Sequence, residues 1–168
     1  MEGNPAYNAA AELVSDGFME AIDEHGTLWF DPDENVSREE YLRTVMRALG
    51  APELSAKNSG FTDDDKISDL CSGYVCAAWR LGIVTGYETD SGMCFCPDEA
   101  ITCAEAAVIL MRITGAECDS NAPWNYGAIS AVISAGIVAG DTDPVPSQLL
   151  TRAQMAQLIY NTRCLYNV

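Results

Sequence analysis

Apolar residues recur in three stretches of the chain at the three- and four-residue spacing of a helix with one buried face. The clearest stretch holds Tyr41, Leu42, Val45 and Met46, and two later stretches repeat its spacing. Each stretch follows a Ser or Thr that has Glu or Gln three residues later. This is the pattern of a capping box, in which side chain and backbone satisfy each other's N–H groups. The predicted boxes are Ser37–Glu40, Thr102–Glu105 and Thr151–Gln154.

The three stretches belong to an internal repeat. A shift of 65 positions lays residues 17–50 on residues 82–115 without a gap, and 9 of those 34 positions are identical. A third copy aligns with a shift of 54 before the loop and 49 after it, so its loop is five residues shorter. Repetition at this period is typical of stacked units that cannot bury their apolar faces alone.

A further helix precedes the loop in each copy. In the second copy it is predicted over residues 69–81, with Val75, Ala78 and Trp79 on its apolar face. A glycine follows in all three copies, where a left-handed residue normally ends a helix. The fold class is therefore mainly α, with helix-loop-helix repeats whose second helices pack together in a central bundle. A single module is expected over 1–168, with repeats at about 1–50, 58–115 and 116–168.

Composition narrows the possible partners. The 168 residues are 48% hydrophobic and 20% charged, with a formal net charge of −16. Nucleic acid and anionic membranes would repel such a chain, so neither is expected as a main partner. No apolar run approaches the roughly 18 residues of a spanning helix. The first copy's equivalent of Phe61 would fall before Met1. We therefore expect the chain to begin inside its first unit, with any signal peptide outside the sequence given.

The repeated motifs are Phe61-Thr62-Asp63, Gly82 to Gly86, Phe95-Cys96-Pro97 and Ile101-Thr102 followed by Ala104-Glu105. Together they resemble the surface-layer homology (SLH) domain, which usually occurs as three tandem copies. The resemblance covers essentially the whole chain. It implies a pseudo-three-fold arrangement around a central three-helix bundle. It also implies non-covalent anchoring to secondary cell-wall polysaccharide, often pyruvylated, in grooves between repeats, on the outside of a Gram-positive-type bacterium.

The chemistry of such a groove can be argued from the helix start. The residue after the cap lies where free N–H groups and the helix dipole favour an anion. An arginine there adds a planar fork suited to a carboxylate such as a pyruvyl ketal. Cys103 replaces that arginine in the second copy, so its groove should bind an anion weakly or not at all. An aromatic ring, carboxylates or glycines of the neighbouring unit would hold the sugar. The expected ligand-binding residues are Arg38, Arg152, Trp124, Asp69, Gly86 and Gly140.

Cysteines, carboxylates and the single histidine suggest no further site. Five of the seven cysteines lie between 71 and 103, and Cys94 with Cys96 looks like part of a metal site. Zinc sites usually need a second pair or histidines, so no metal and no cofactor are expected. Disulfides and reduced buried thiols both stay open for these cysteines. The carboxylates of 63–65 are expected to be solvated loop and helix-cap residues. His25 has no matching nucleophile, so no catalytic residue and no enzyme activity are expected.

Two functions remain. The first is a non-covalent anchor that binds anionic polysaccharide. The alternative is a structural or protein-interaction module of a surface assembly, with degenerate, non-binding grooves. Expected partners are cell-wall polysaccharide and other surface-layer proteins, without nucleic acid or membrane insertion, and the expected location is extracellular, at the bacterial cell wall or S-layer. Replacing Arg38 or Arg152 by alanine is expected to weaken wall retention and to leave the fold intact.

Overall fold

The computed structural model describes residues 5–24, 27–56, 58–118, 121–138 and 144–168, with the backbone alone at 22–24 and 27–29. Within them the protein is mainly helical, as predicted. The loops of the first two repeats each contain a short antiparallel hairpin, which pairs Ile22 with Trp29 and Tyr87 with Cys94. The helices are α1 (Pro5–Ser15), α2 (Arg38–Ala48), α3 (Ser72–Arg80), α4 (Cys103–Thr114), α5 (Trp124–Ser134) and α6 (Arg152–Tyr166). The strands are β1 (Ile22–Glu24), β2 (Thr27–Trp29), β3 (Tyr87–Thr89) and β4 (Gly92–Cys94).

The first helix of each repeat ends where the glycine pattern predicts. Gly17, Gly82 and Gly136 have φ values of 74°, 71° and 76°, the left-handed region that a residue with a Cβ avoids. The start of α3 differs from the prediction, because the helix begins at Ser72 rather than near residue 69. None of the helices in the described ranges combines the length and apolar character that crossing a bilayer requires.

Helices of different repeats pack together in a cyclic order. Each first helix contacts the second helix of another repeat: α3 contacts α2, α5 contacts α4, and α1 contacts α6. In addition, α2 contacts both α4 and α6. Buried residues of these second helices belong to the core, and the Tyr41 hydroxyl donates a hydrogen bond to the carbonyl of Ala106 over 3.0 Å. Because α1 and α6 lie near opposite ends of the chain, their contact closes the arrangement.

A ring of three backbone hydrogen bonds joins the apolar residues that precede the caps. The N–H group of Val36 donates to Leu150 (2.9 Å), that of Leu150 donates to Ile101 (2.8 Å), and that of Ile101 donates to Val36 (2.9 Å). All three side chains are buried. Each repeat thus donates one bond and accepts one, as a three-fold arrangement of the repeats would require. The symmetry itself and the three-helix bundle at its centre remain predictions.

The prediction that Trp79 belongs to the core is wrong. Val75 and Ala78 are fully buried, but Trp79 is 46% exposed. The helix α3 packs closely at Gly73, which has no side chain. A Cβ atom at this position would lie 2.5 Å from the carbonyl oxygen of Leu54. Such a close approach orients α3 so that position 79 points to the edge of the contact, although its spacing fits the apolar stripe.

Candidate functional site

The N-terminal N–H groups of the three capped helices are not free, which contradicts the sequence-based expectation. In α2, the N–H groups of Arg38 and Glu39 donate to the carbonyls of Glu99 and Pro97 over 2.8 and 3.0 Å. The next N–H group donates to the Ser37 hydroxyl over 3.1 Å. In α4 and α6 the first two N–H groups likewise donate to loop carbonyls of another repeat. An anion at these positions would therefore be held by side chains, not by helix N–H groups.

The predicted capping boxes form completely in two of the three helices. In α4 and α6 the cap hydroxyl and the side chain three residues later satisfy each other's N–H groups. In α2 only half of the box forms: Ser37 accepts from the N–H of Glu40. The carboxylate of Glu40 is instead engaged by Arg152 of the third repeat. A tertiary ion pair has replaced the local hydrogen bond.

Arg38 lies in the groove between the first and second repeats. The residue is 7% exposed, and its guanidinium carbon lies 4.8 Å from the ring centre of Tyr87 and 5.3 Å from that of Phe95. Its Nη1 donates to the Tyr87 hydroxyl over 3.1 Å. Its Nε is buried and finds no hydrogen-bond partner among the described residues. A buried charged donor without a partner costs free energy, so this arginine has unused binding capacity.

The acidic partner in this groove is Glu105, the third residue of α4. Its Oε1 lies 3.9 Å from Nη1 of Arg38 and accepts a short hydrogen bond from the Tyr87 hydroxyl. Its Oε2 accepts from the N–H group of Thr102 over 2.9 Å. Burial acts to raise the pKa of Glu105, but the hydrogen bonds and Arg38 outweigh it and lower that pKa. Burial also raises the pKa of Tyr87, which therefore stays a neutral donor.

Arg152 lies in the equivalent groove between the third and first repeats. Each nitrogen atom of its guanidinium group has a hydrogen-bond partner in the protein. Its Nε donates to the carbonyl of Phe30 over 2.9 Å, and its Nη2 donates to that of Glu20 over 2.6 Å. Its Nη1 forms an ion pair with Glu40. Burial raises the pKa of Glu40, and the guanidinium of Arg152 acts against that shift. All three nitrogen atoms of Arg152 thus have protein partners.

The groove between the second and third repeats has lost both charges. The pattern of the other two pairs an arginine after the cap with a carboxylate three residues into another capped helix. Here Cys103 and Gln154 stand at those positions, and both line an open cavity of about 460 Å³. Its walls are mostly apolar and include Ile129 and Val132. That this groove binds an anion weakly or not at all stays a prediction.

The other predicted ligand residues are dispersed. Asp69 is exposed and follows Ser68, whose N–H group donates to the side chain of Glu39 over 2.9 Å. Trp124 is 63% exposed and begins α5, which packs against α4. No hydrogen bond or ring contact joins Trp124 to either arginine in the described part of the chain. Gly140 lies outside the described residues, as does His25.

Gly86 has a packing role in the structure. Its φ is 73°, and a Cβ there would lie 2.5 Å from the ring of Phe61 and 2.7 Å from the carbonyl oxygen of Cys94. The glycine therefore lets β3 pass close to this ring and places Tyr87, the next residue, against Arg38. Tyr87 is the site residue that sequence reasoning missed. Its exposed position in a hairpin beside an arginine only becomes evident once the repeats are packed.

The expectation that the carboxylates of 63–65 are solvated is wrong for Asp63. This residue is 5% exposed, and its two oxygens accept from the N–H groups of Phe95 and Cys96, each over 2.8 Å. Asp64 accepts from the N–H of Ser59 over 3.0 Å. These bonds tie the Phe-x-Asp motif to the end of the hairpin. Within the described residues, six cysteines are free thiols: Cys71, Cys76, Cys94, Cys96, Cys103 and Cys164.

Comparisons with known proteins agree with the repeats. The family described as "S-layer homology domain" matches residues 60–107 and 119–156, just over half of the chain. Those two matches correspond to the second and third repeats, and the first repeat stays a prediction.

Several curated proteins are similar to this chain. The "Middle cell wall protein" of Brevibacillus brevis is 29% identical over 140 residues, 82% of this chain and 13% of the relative. The "Surface layer protein" of Brevibacillus choshinensis is 29% identical over 118 residues, 68% of this chain and 10% of the relative. An "Endoglucanase" of a Bacillus species is 30% identical over 130 residues, 68% of this chain and 14% of the relative. The chain therefore spans only a small fraction of these relatives, and it belongs to the S-layer homology domain family.

Proposed function

We propose that this chain is a non-catalytic module that anchors a surface protein to the bacterial cell wall by binding an anionic secondary wall polysaccharide. Membership in the S-layer homology family and similarity to proteins named for the cell wall and the surface layer support this assignment. The proposed location is extracellular. The partner is cell-wall polysaccharide, and pyruvyl ketals are the carboxylates that would best match an arginine fork.

The groove of Arg38 is the proposed binding site. The observation that carries this choice is the buried Nε of Arg38 without a partner, beside the rings of Tyr87 and Phe95. An acidic sugar substituent could accept hydrogen bonds from this guanidinium, while the Tyr87 ring offers a face for the sugar. Asp69 is proposed to border the same site. With a net charge of −16, attraction of an anionic polymer must be local to this groove.

Arg152, by contrast, is proposed to contribute little to ligand binding. Its nitrogen atoms already bind Phe30, Glu20 and Glu40, so a ligand would have to displace protein partners. The earlier expectation that its alanine variant leaves the fold intact is therefore replaced. Gly86, Gly140 and Trp124 are proposed as neighbours of the grooves rather than as direct ligands.

Co-sedimentation with purified wall sacculi tests the proposal. We expect native sacculi to retain the protein, and sacculi stripped of secondary polymer to lose it. Arg38→Ala should bind roughly 10- to 150-fold more weakly, because a hydrogen bond to a charged group contributes about 1.5–3 kcal/mol. The matched control is Arg80→Ala, which removes the same charge from an exposed site on α3. Equal retention of the Arg38 and Arg80 variants would refute the site, and no retention of the native protein would refute anchoring.

A second function rests on the other two grooves. One is filled by the contacts of Arg152 and the other is neutral at Cys103, so both fit a module that packs within a surface assembly. Other surface-layer proteins would then be the partners. Retention that depends on a protein fraction of the wall, and survives removal of the polysaccharide, would favour this alternative.

A further inference from the structure

Three potential metal ligands converge beside the second hairpin. The Sγ atoms of Cys94 and Cys96 lie 3.2 Å apart. The ligand atoms of these two thiols and of the Asp63 carboxylate all lie within 4.8 Å of one another. The cysteines are half-buried and Asp63 is buried, so the cluster lies at the edge of the protein, where an ion could enter.

The backbone holds these groups in place. Cys94 ends β4, and the next residue, Phe95, is fully buried. The half-buried cysteines on either side of Phe95 bring their sulfur atoms together. The carboxylate oxygens of Asp63 accept the N–H groups of Phe95 and Cys96 and so bring the Phe-x-Asp motif to this point. Cys96 has φ 58°, an uncommon conformation for a residue other than glycine. The geometry is thus determined by main-chain bonds rather than by flexible side chains.

We propose that Asp63, Cys94 and Cys96 form a binding site for a thiophilic divalent cation of the zinc class. Thiolates select such ions, and zinc accepts three protein ligands with a water in the fourth position. Each carboxylate oxygen of Asp63 keeps a second lone pair after accepting its N–H group. Two sulfurs bound to a tetrahedral zinc at about 2.3 Å lie roughly 3.8 Å apart. The thiols therefore need to separate only slightly.

A cation that binds here must displace the proton of the Cys94 thiol, because a metal-bound cysteine is deprotonated. The hydrogen bond to Asp63 and burial together raise the pKa of Cys94 to about 12. Burial acts to raise the pKa of Asp63, but hydrogen bonds from Cys94 and two N–H groups lower it. The carboxylate thus holds a proton on the neighbouring sulfur. A divalent cation would take the place of the thiol protons, which are released to solvent.

The site is confined to the second repeat. The positions of the first repeat that align with Cys94 and Cys96 are Trp29 and Asp31, so it could not offer two thiols. The test of this cluster needs no cell wall. Failure of wall binding and failure of metal binding are therefore separate results.

Titration of the reduced protein with Co²⁺ under anaerobic conditions tests the site. We expect one equivalent to bind with sulfur-to-cobalt charge-transfer absorption of two thiolates and tetrahedral visible bands, and Zn²⁺ to displace it. Cys94→Ser and Cys96→Ser should each weaken binding by more than the roughly 10- to 100-fold that loss of an outer-shell partner costs. Cys164→Ser, which alters an exposed thiol on α6, is the matched control and should bind like the native protein.

The native protein alone can overturn the proposal, even if a serine variant does not fold. Absence of charge-transfer absorption in the reduced protein would refute it. So would a Cys94–Cys96 disulfide that resists a phosphine reductant, seen as a mass two hydrogens below that of the dithiol. Unchanged cobalt binding in folded variants of both cysteines would assign the ion to another part of the chain.

Discussion

The grooves of Arg38 and Arg152 have the same sequence position and very different chemistry. Each arginine follows a helix cap and is 7% exposed, and each lies over the phenylalanine of a Phe-x-Pro motif. Arg152 donates to two carbonyls and a carboxylate, whereas Arg38 lies on Tyr87 and leaves its Nε without a partner. Repetition of a motif therefore does not guarantee repetition of its role. The neighbouring repeat decides whether the arginine has its hydrogen-bond donors paired or keeps one without a partner.

The difference originates in the hairpins. The residue of the first repeat that aligns with Tyr87 is Ile22, which has no hydroxyl group to offer. In the groove of Arg38, the Tyr87 ring packs against the guanidinium and its hydroxyl bridges to Glu105. In the groove of Arg152, the carbonyl oxygens of Glu20 and Phe30 accept hydrogen bonds instead. The side chain of Tyr87 is thus part of the groove of Arg38, whereas main-chain carbonyl groups contact Arg152.

Among the substitutions that test this comparison, Arg152→Ala is expected to lower the free energy of unfolding the most. Removing one member of a buried ion pair costs roughly 3–5 kcal/mol, and we expect about 3 kcal/mol because the Glu40 side chain is 29% exposed. Arg38→Ala should cost about 1 kcal/mol, the usual value for a point substitution. Urea unfolding of both variants measures the difference. Equal destabilisation would show that the two arginines have the same structural role.

Placing an arginine and a carboxylate in the groove between the second and third repeats should change the free energy of unfolding by an intermediate amount. Cys103→Arg alone places a cation in a mostly apolar cavity without a carboxylate, so it should destabilise the fold. Adding Gln154→Glu supplies the acid of the other two grooves. A double-mutant cycle by urea unfolding should show a favourable coupling of about 0.5–3 kcal/mol. A coupling near zero would mean that the third loop cannot bring these positions together.

The smallest expected effect concerns the pH dependence of the Arg38 groove. Because the folded protein lowers the pKa of Glu105, this group contributes stability above its unfolded pKa, roughly 4.3. That contribution is lost as the pH falls through the lowered value. Glu105→Gln keeps the capping box and removes the charge, as Gln154 shows in α6. Its unfolding free energy should fall below that of the native protein at pH 7, and the gap should close below pH 4.

The control for this pH series is Glu88→Gln, which changes an exposed carboxylate on the same hairpin. Its unfolding free energy should follow that of the native protein throughout. A gap for Glu105→Gln that stays constant from pH 7 to pH 3 would show that its cost comes from shape rather than from charge.

Much of the fold follows from the sequence alone, because helix caps, apolar spacing and turn glycines are local signals. The box at Thr102 and Glu105 forms as predicted, and Gly82 ends its helix. The repeat also identified both arginines and the loss of one at Cys103. These features depend on residues a few positions apart, so the sequence of one segment is enough to predict them.

Packing between repeats decided the rest. Glu40 pairs with Arg152, 112 residues away, instead of completing its capping box. Asp63 is not solvated as predicted but accepts a hydrogen bond from the N–H group of Cys96. The helix N–H groups that seemed free donate to loop carbonyls of another repeat. Hydrogen-bonding capacity is a property of the assembled neighbours and not of one segment. Only the tertiary structure could therefore tell the saturated arginine from the one that still has a donor to use.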